Sequence, residues 1–126
     1  MRESILQKQI LVEFGALPWL RLWRNNTGQA WTGNQIIRSD RPQTVLMQAG
    51  DVLIRKAHPV RFGLPGSSDI DGIAKGGQRI AIENKSDTGK QSTEQEKFQA
   101  MIERMGGKYI LARSVEDVYR AFNLKE

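Results

Sequence analysis

At 126 residues the chain has room for one hydrophobic core, and 39% apolar with 26% charged residues is the balance of an ordinary globular domain. It has no cysteine and a single histidine, His58, which excludes a disulfide framework and the common zinc patterns, so any metal must be held by oxygen. The 19 Lys+Arg against 14 Asp+Glu give a net charge of +5, which favours a polyanionic partner. Residues 3 to 14 read as a helix, with Leu6, Ile10 and Phe14 at four-residue steps and Gly15 as its stop. Leu20 to Asn25 reads as a strand, followed by the turn cluster Asn25-Asn26-Thr27-Gly28. Residues 29 to 37 and 44 to 62 are undecided; Ser39-Asp40-Arg41-Pro42 interrupts them, and Ala49-Gly50-Asp51 is a candidate hairpin turn.

Gly63 to Ser68 is loop, then strands are expected over about 69 to 74 and 78 to 85, joined by Gly76-Gly77. A helix over about 93 to 105 carries Phe98, Met101, Ile102 and Met105 on one stripe and ends at Gly106-Gly107. Tyr109 to Ala112 is a short apolar strand, and Val115, Val118, Tyr119 and Phe122 mark a last helix capped by Ser114. The order predicts one α/β or α+β domain over residues 1–126, with a mixed central sheet flanked by helices. No apolar run reaches the roughly 18 residues of a membrane span and no signal-peptide core is visible, so no membrane partner is expected.

The chemistry concentrates on two strands. Alternation puts Glu83 and Lys85 on one face and Ile80 and Ile82 on the other. The preceding strand does not alternate, because Ile70 and Ile73 are three apart. A two-residue Gly76-Gly77 turn pairs Ile73 with Ile80 but leaves Ile70 against Glu83, so a β-bulge at Asp71-Gly72 is expected to restore Ile70 opposite Ile82. Asp69 then lies opposite Glu83, about 5 Å away by Cβ, and Asp71 points elsewhere. Two carboxylates so placed repel unless a cation sits between them. The bland alternative is an exposed hairpin face with an ion pair to Lys85.

Glu3 extends the inward stripe of Leu6 and Ile10, though helix-dipole stabilisation in the first turn also accounts for it. Gln95 extends the stripe of Phe98 and Ile102 toward the strands, and Ser92-x-x-Gln95 also satisfies a capping box. His58 reads as a structural or surface residue, and Trp19, Trp23 and Trp31 as core or interface anchors in preference to base-stacking platforms. Gly66 and its neighbours could cradle a phosphate, but no P-loop motif occurs and no nucleotide cofactor is expected. Arg21, Arg24, Arg38, Arg41, Arg55, Lys56 and Arg61 all precede the acidic pair.

Gly66-Ser67-Ser68-Asp69 followed by Glu83-Asn84-Lys85-Ser86 resembles the G-x-x-D…E-x-K signature of the PD-(D/E)XK nuclease superfamily, in its VRR-NUC branch of small stand-alone, phage-type members. The resemblance extends to Glu3 on the first helix, to Arg24-Asn25-Asn26-Thr27-Gly28, to Ser92-Thr93-Glu94-Gln95 and to Gly106 through Val118. One position departs: Asn84 stands where the family has a β-branched aliphatic, so an amide replaces core volume there.

The resemblance implies a restriction-endonuclease-like fold and a Mg²⁺- or Mn²⁺-dependent DNA endonuclease. It implies a homodimer acting on branched DNA such as four-way (Holliday) junctions, in the cytoplasm of a bacterial or phage-infected cell. Asp69, Glu83 and the Asn84 backbone carbonyl would bind the metal, with Glu3 a ligand directly or through water. Lys85 would orient the attacking water or neutralise charge at phosphorus, and Gln95 would position Lys85 or a phosphate. Two other readings remain: a DNA-binding module of the same fold without turnover, and a nuclease acting on ordinary duplex.

Overall fold

In the computed structural model, residues 2–33 and 40–124 are described; Arg38 and Ser39, with the end of the undecided stretch before them, lie outside that range. The four-residue apolar step produces helix α1, Glu3–Phe14, whose Leu6, Ile10 and Phe14 are all buried. The chain continues through strands β1 (Ala16–Leu17), β2 (Leu20–Arg24), β3 (Gly28–Thr32), β4 (His58–Phe62), β5 (Ile70–Ala74) and β6 (Gln78–Asn84). Helix α2 (Thr93–Arg104), strand β7 (Lys108–Ala112) and helix α3 (Val115–Ala121) complete it. Both later helices begin with a full capping box, Ser92 with Gln95 and Ser114 with Asp117.

The chain divides into two compact units, one of residues 1–26 with 64–126 and one of residues 27–63. The larger holds a five-stranded sheet in the order β1-β2-β5-β6-β7, antiparallel except for the β6–β7 pair. It is a mixed sheet, as the order of elements predicted. The parallel pair is connected through α2, because strands running the same way need a crossover. On one face Leu20, Leu22, Ile70, Ile80, Ile82 and Ile110 pack with α1 and with Val118 of α3. On the other, Ala81 and Tyr109 meet Phe98, Met101 and Ile102 of α2. Burying each large apolar side chain contributes roughly 1.5–3 kcal/mol, so the two-sided sheet carries most of the stability.

The smaller unit pairs β3 with β4 antiparallel, from Gly28↔Phe62 to Thr32↔His58, and all ten residues of the two strands are exposed. His58 is therefore a surface residue. The expected hairpin at Ala49-Gly50-Asp51 is not formed. A turn is there, with the Asp51 amide donating to the Gln48 carbonyl at 3.0 Å, but among the described residues only an isolated bridge at Ile54, and no strand, flanks it.

The expected bulge at Asp71-Gly72 is also absent. β5 and β6 run in unbroken register from Ile70↔Ile82 to Ala74↔Gln78. The missing residue is found in the turn, which takes Lys75 as well as Gly76 and Gly77, with the Gly77 amide donating to the Ala74 carbonyl at 2.9 Å. Gly76 and Gly77 have φ of 94° and 90°, a region closed to most side chains. Gly72 instead serves packing, because a Cβ there would come within 2.4 Å of the Leu22 side chain. No helix among the described residues is long and apolar enough to cross a membrane.

Candidate metal centre

Asp69 precedes β5 by one residue, and the register of β5 on β6 places it level with Glu83. The loop leading to it is fixed by Asn25 and by α2. Asn25 donates its side-chain amide to the Ser68 carbonyl at 2.8 Å and to Ser67 Oγ at 3.2 Å, and its backbone amide to the Asp69 carbonyl at 2.8 Å. Gly66, at φ 75°, lies so close to the first turn of α2 that a Cβ would come within 2.3 Å of the Glu94 carbonyl. Its missing side chain thus lets the loop dock on α2. Asn25 is a positioning residue that sequence physics did not single out; its only signal was its place in Arg24-Asn25-Asn26-Thr27-Gly28.

Asp69 Oδ2 accepts from the Asn84 backbone amide at 2.9 Å and lies 3.5 Å from its side-chain amide. Asp71 is turned away, bonded to Arg79 at 2.7 Å and to Ser68 Oγ at 3.3 Å. In this unbroken register the two aspartates share one face of the strand; Asp69 is the one level with Glu83, and Asp71, level with Ala81, is engaged instead by Arg79 and Ser68.

Glu83 is 4% exposed, on the sheet face that α2 covers. Its Oε1 accepts from the Gln95 side-chain amide at 3.0 Å, while its Oε2 is buried without a hydrogen-bond partner. Burial, and then the charge of Asp69, push its pKa up from 4.5 to about 8; the Lys85 ammonium acts in the opposite sense. Gln95 also completes the capping box, accepting at Oε1 from the Ser92 amide at 2.9 Å. The two roles weighed from sequence are both filled, by opposite ends of one amide group. The group that Gln95 orients is Glu83, whereas the resemblance implied Lys85 or a phosphate.

Lys85 is half-buried beyond the end of β6, its amide bonded to the Ala112 carbonyl at 2.9 Å. The segment after it is held by Arg113 on the Ser86 carbonyl at 2.6 Å and by Glu3, which accepts from the Ser86 amide at 3.3 Å. Glu3 therefore stands beside this segment, and among the described residues no three Asp, Glu or His side chains gather closely enough to form a metal centre by themselves. Asn84 continues the Ile80/Ile82 face as its strand position dictates; it is 1% exposed, with a buried Oδ1 that has no partner.

A hard dication suits this donor set. Glu83 Oε2 is a buried acceptor without a donor, Asp69 lies beside it, and the remaining donors are carbonyl and water oxygens, which Mg²⁺ readily keeps. A cation would also offset the burial and the Asp69 charge that raise the Glu83 pKa, and would replace the proton shared between the two carboxyls. No protein-family model matches the chain, and no curated protein shows significant similarity to it.

Proposed function

We propose that the chain is a Mg²⁺- or Mn²⁺-dependent DNA endonuclease with the PD-(D/E)XK fold, of the VRR-NUC type. The observation that carries this reading is the pairing of Asp69 with a buried Glu83 whose Oε2 lacks a donor, with Lys85 next but one along the strand. An exposed hairpin ion pair, the bland alternative, would leave Glu83 in water and its pKa near 4.5. The net charge of +5 supports a phosphate-rich substrate.

In this reading Asp69, Glu83 and the Asn84 carbonyl would hold the ion, with Glu3 contributing directly or through water. The metal would supply an activated water and charge neutralisation at the phosphate. Gln95 keeps Glu83 oriented, and its amide donor favours the ionised carboxylate that a cation needs. Lys85 contributes a fixed positive charge where negative charge develops on the phosphate oxygens. Cleavage of branched DNA in the cytoplasm by a homodimer completes the proposal, because paired cuts on two strands call for two sites related by a twofold axis.

The test is cleavage of end-labelled junction, flap, nicked and duplex DNA in Mg²⁺, Mn²⁺ and EDTA, with sedimentation of the same preparation. Cutting confined to the metal-containing reactions, strongest on branched substrates and by a dimer, is the expected result. Absence of cutting on every substrate would overturn the enzyme reading in favour of a binding module.

A further inference from the structure

We propose that Trp23 is a base-stacking platform, and that the open half of the larger sheet carries a nucleic-acid strand away from the Asp69–Glu83 site. The proposal rests on the nuclease reading only for what the strand is doing there. Leu20 and Leu22 point into the core, so Arg21 and Trp23 stand on the opposite face of β2, the face that also bears Glu83. Helix α2 packs on Ala81 and Tyr109, on the β6–β7 side of that face. On the β2–β5 side Trp23 is 49% exposed and Ile73 46% exposed. A tryptophan so exposed on a sheet forfeits much of its burial energy, which is unusual unless it meets a partner.

The surroundings define that partner's chemistry. Trp23 is level with Asp71 and Ala81, one side-chain pair short of Glu83 and two strands away. Strand spacing and rise put the two backbone positions about 12 Å apart, close enough for one strand to visit both. Arg21 pairs with Ile73 on the same face, and Arg79 follows beyond Asp71. At the far end an open concavity is lined by Trp19, Arg21, Ile73 and Lys75. An indole with Arg21 on its own strand and the Asp71–Arg79 ion pair across from it, leading from an acidic pair to a basic cleft, matches unpaired bases on a phosphate backbone. Trp19 does not share this role, since its ring packs edge-on against Phe122 at 5.2 Å.

The test compares wild type with Trp23→Phe and Trp23→Ala, using a fluorescein-labelled thymidine 12-mer and an abasic 12-mer at low salt with EDTA. Thymidine should quench the tryptophan emission of wild type, and most of that quench should be lost in Trp23→Phe. The abasic strand should bind without quenching. Trp23→Ala should bind thymidine about tenfold more weakly by anisotropy, with Trp23→Phe close to wild type. Equal quenching in wild type and Trp23→Phe, or unchanged affinity in Trp23→Ala, would overturn the proposal. Metal-dependent cleavage, measured on the same proteins, separates the two readings. An active wild type without a Trp23 signal defeats only the stacking platform, and an inactive one with the signal defeats only the nuclease.

Discussion

Gln95 donates its side-chain amide to Glu83 Oε1 at 3.0 Å while the oxygen of the same amide caps α2 at the Ser92 backbone, 2.9 Å away. One side chain thus ties the start of a helix to the carboxylate it orients. Gln95→Glu should keep the cap but set an acceptor against Glu83, lowering Mn²⁺ affinity with little change in melting temperature. Gln95→Ala should lose both contacts, at a cost of about 1 kcal/mol in stability. Calorimetric Mn²⁺ titration beside thermal melts checks this; equal Mn²⁺ affinity in wild type and Gln95→Glu would contradict it.

Glu83 makes metal-free stability depend on pH. Its folded pKa, about 8, lies above its ordinary 4.5, so between those values the folded state holds a proton that the unfolded state has released. Stability from this group is therefore fully present below about pH 4.5 and is lost as pH rises toward about 8. Glu83→Gln should flatten that part of a melting-temperature profile recorded in EDTA. Mn²⁺ binding to wild type at pH 6.5 should release protons, because the ligand must ionise. A profile unchanged by Glu83→Gln would show that the carboxyl is already ionised without metal.

Asn84 places an amide in the core with Oδ1 unsatisfied and only a 3.5 Å approach of its nitrogen to Asp69. Asn84→Val should raise stability by about 1 kcal/mol, since a buried polar atom without a partner costs about 1–3 kcal/mol. The backbone carbonyl is retained, so Mn²⁺ affinity should change little. A fall in the thermal midpoint would show that the amide is better satisfied than its contacts indicate.

The parts of this site that were legible in the sequence follow from short-range rules. Ser92, Gln95 and Gly106-Gly107 marked α2 because capping and stop chemistry are local, and alternation put Glu83 opposite Ile82 in facing. The hairpin was misread in one detail, since a bulge with a two-residue turn and a straight strand with a three-residue turn give the same Ile70↔Ile82 register. Sequence could not choose between them, because Gly72 looks the same as a bulge residue and as a residue pressed against Leu22. That Trp23 lies outside the core was not legible for a different reason: its exposure depends on where α2 stops covering the sheet, which is a tertiary fact. Residues 29 to 37 and 44 to 62 resisted reading because the strands described there, β3 and β4, bury nothing and so carry no apolar period.

Lys85 acts on charge, so its loss should separate binding from turnover. Lys85→Ala should cut DNA about 100- to 1,000-fold more slowly while still binding Mn²⁺ and DNA. Because the ammonium also lowers the Glu83 pKa, the comparison belongs at saturating Mn²⁺, where the bound ion itself keeps Glu83 ionised in both proteins. Turnover at the wild-type rate there would remove Lys85 from the mechanism.

The central claim is that Asp69 and Glu83 form one metal site that hydrolyses DNA. Its most direct test is the rate of cutting of a labelled four-way junction in Mn²⁺ by wild type, Asp69→Asn and Glu83→Gln, each confirmed folded by its melting curve. The account expects cutting by wild type, none in EDTA, and a loss of at least about 100-fold in each variant. Cutting by Asp69→Asn or Glu83→Gln at the wild-type rate would contradict it.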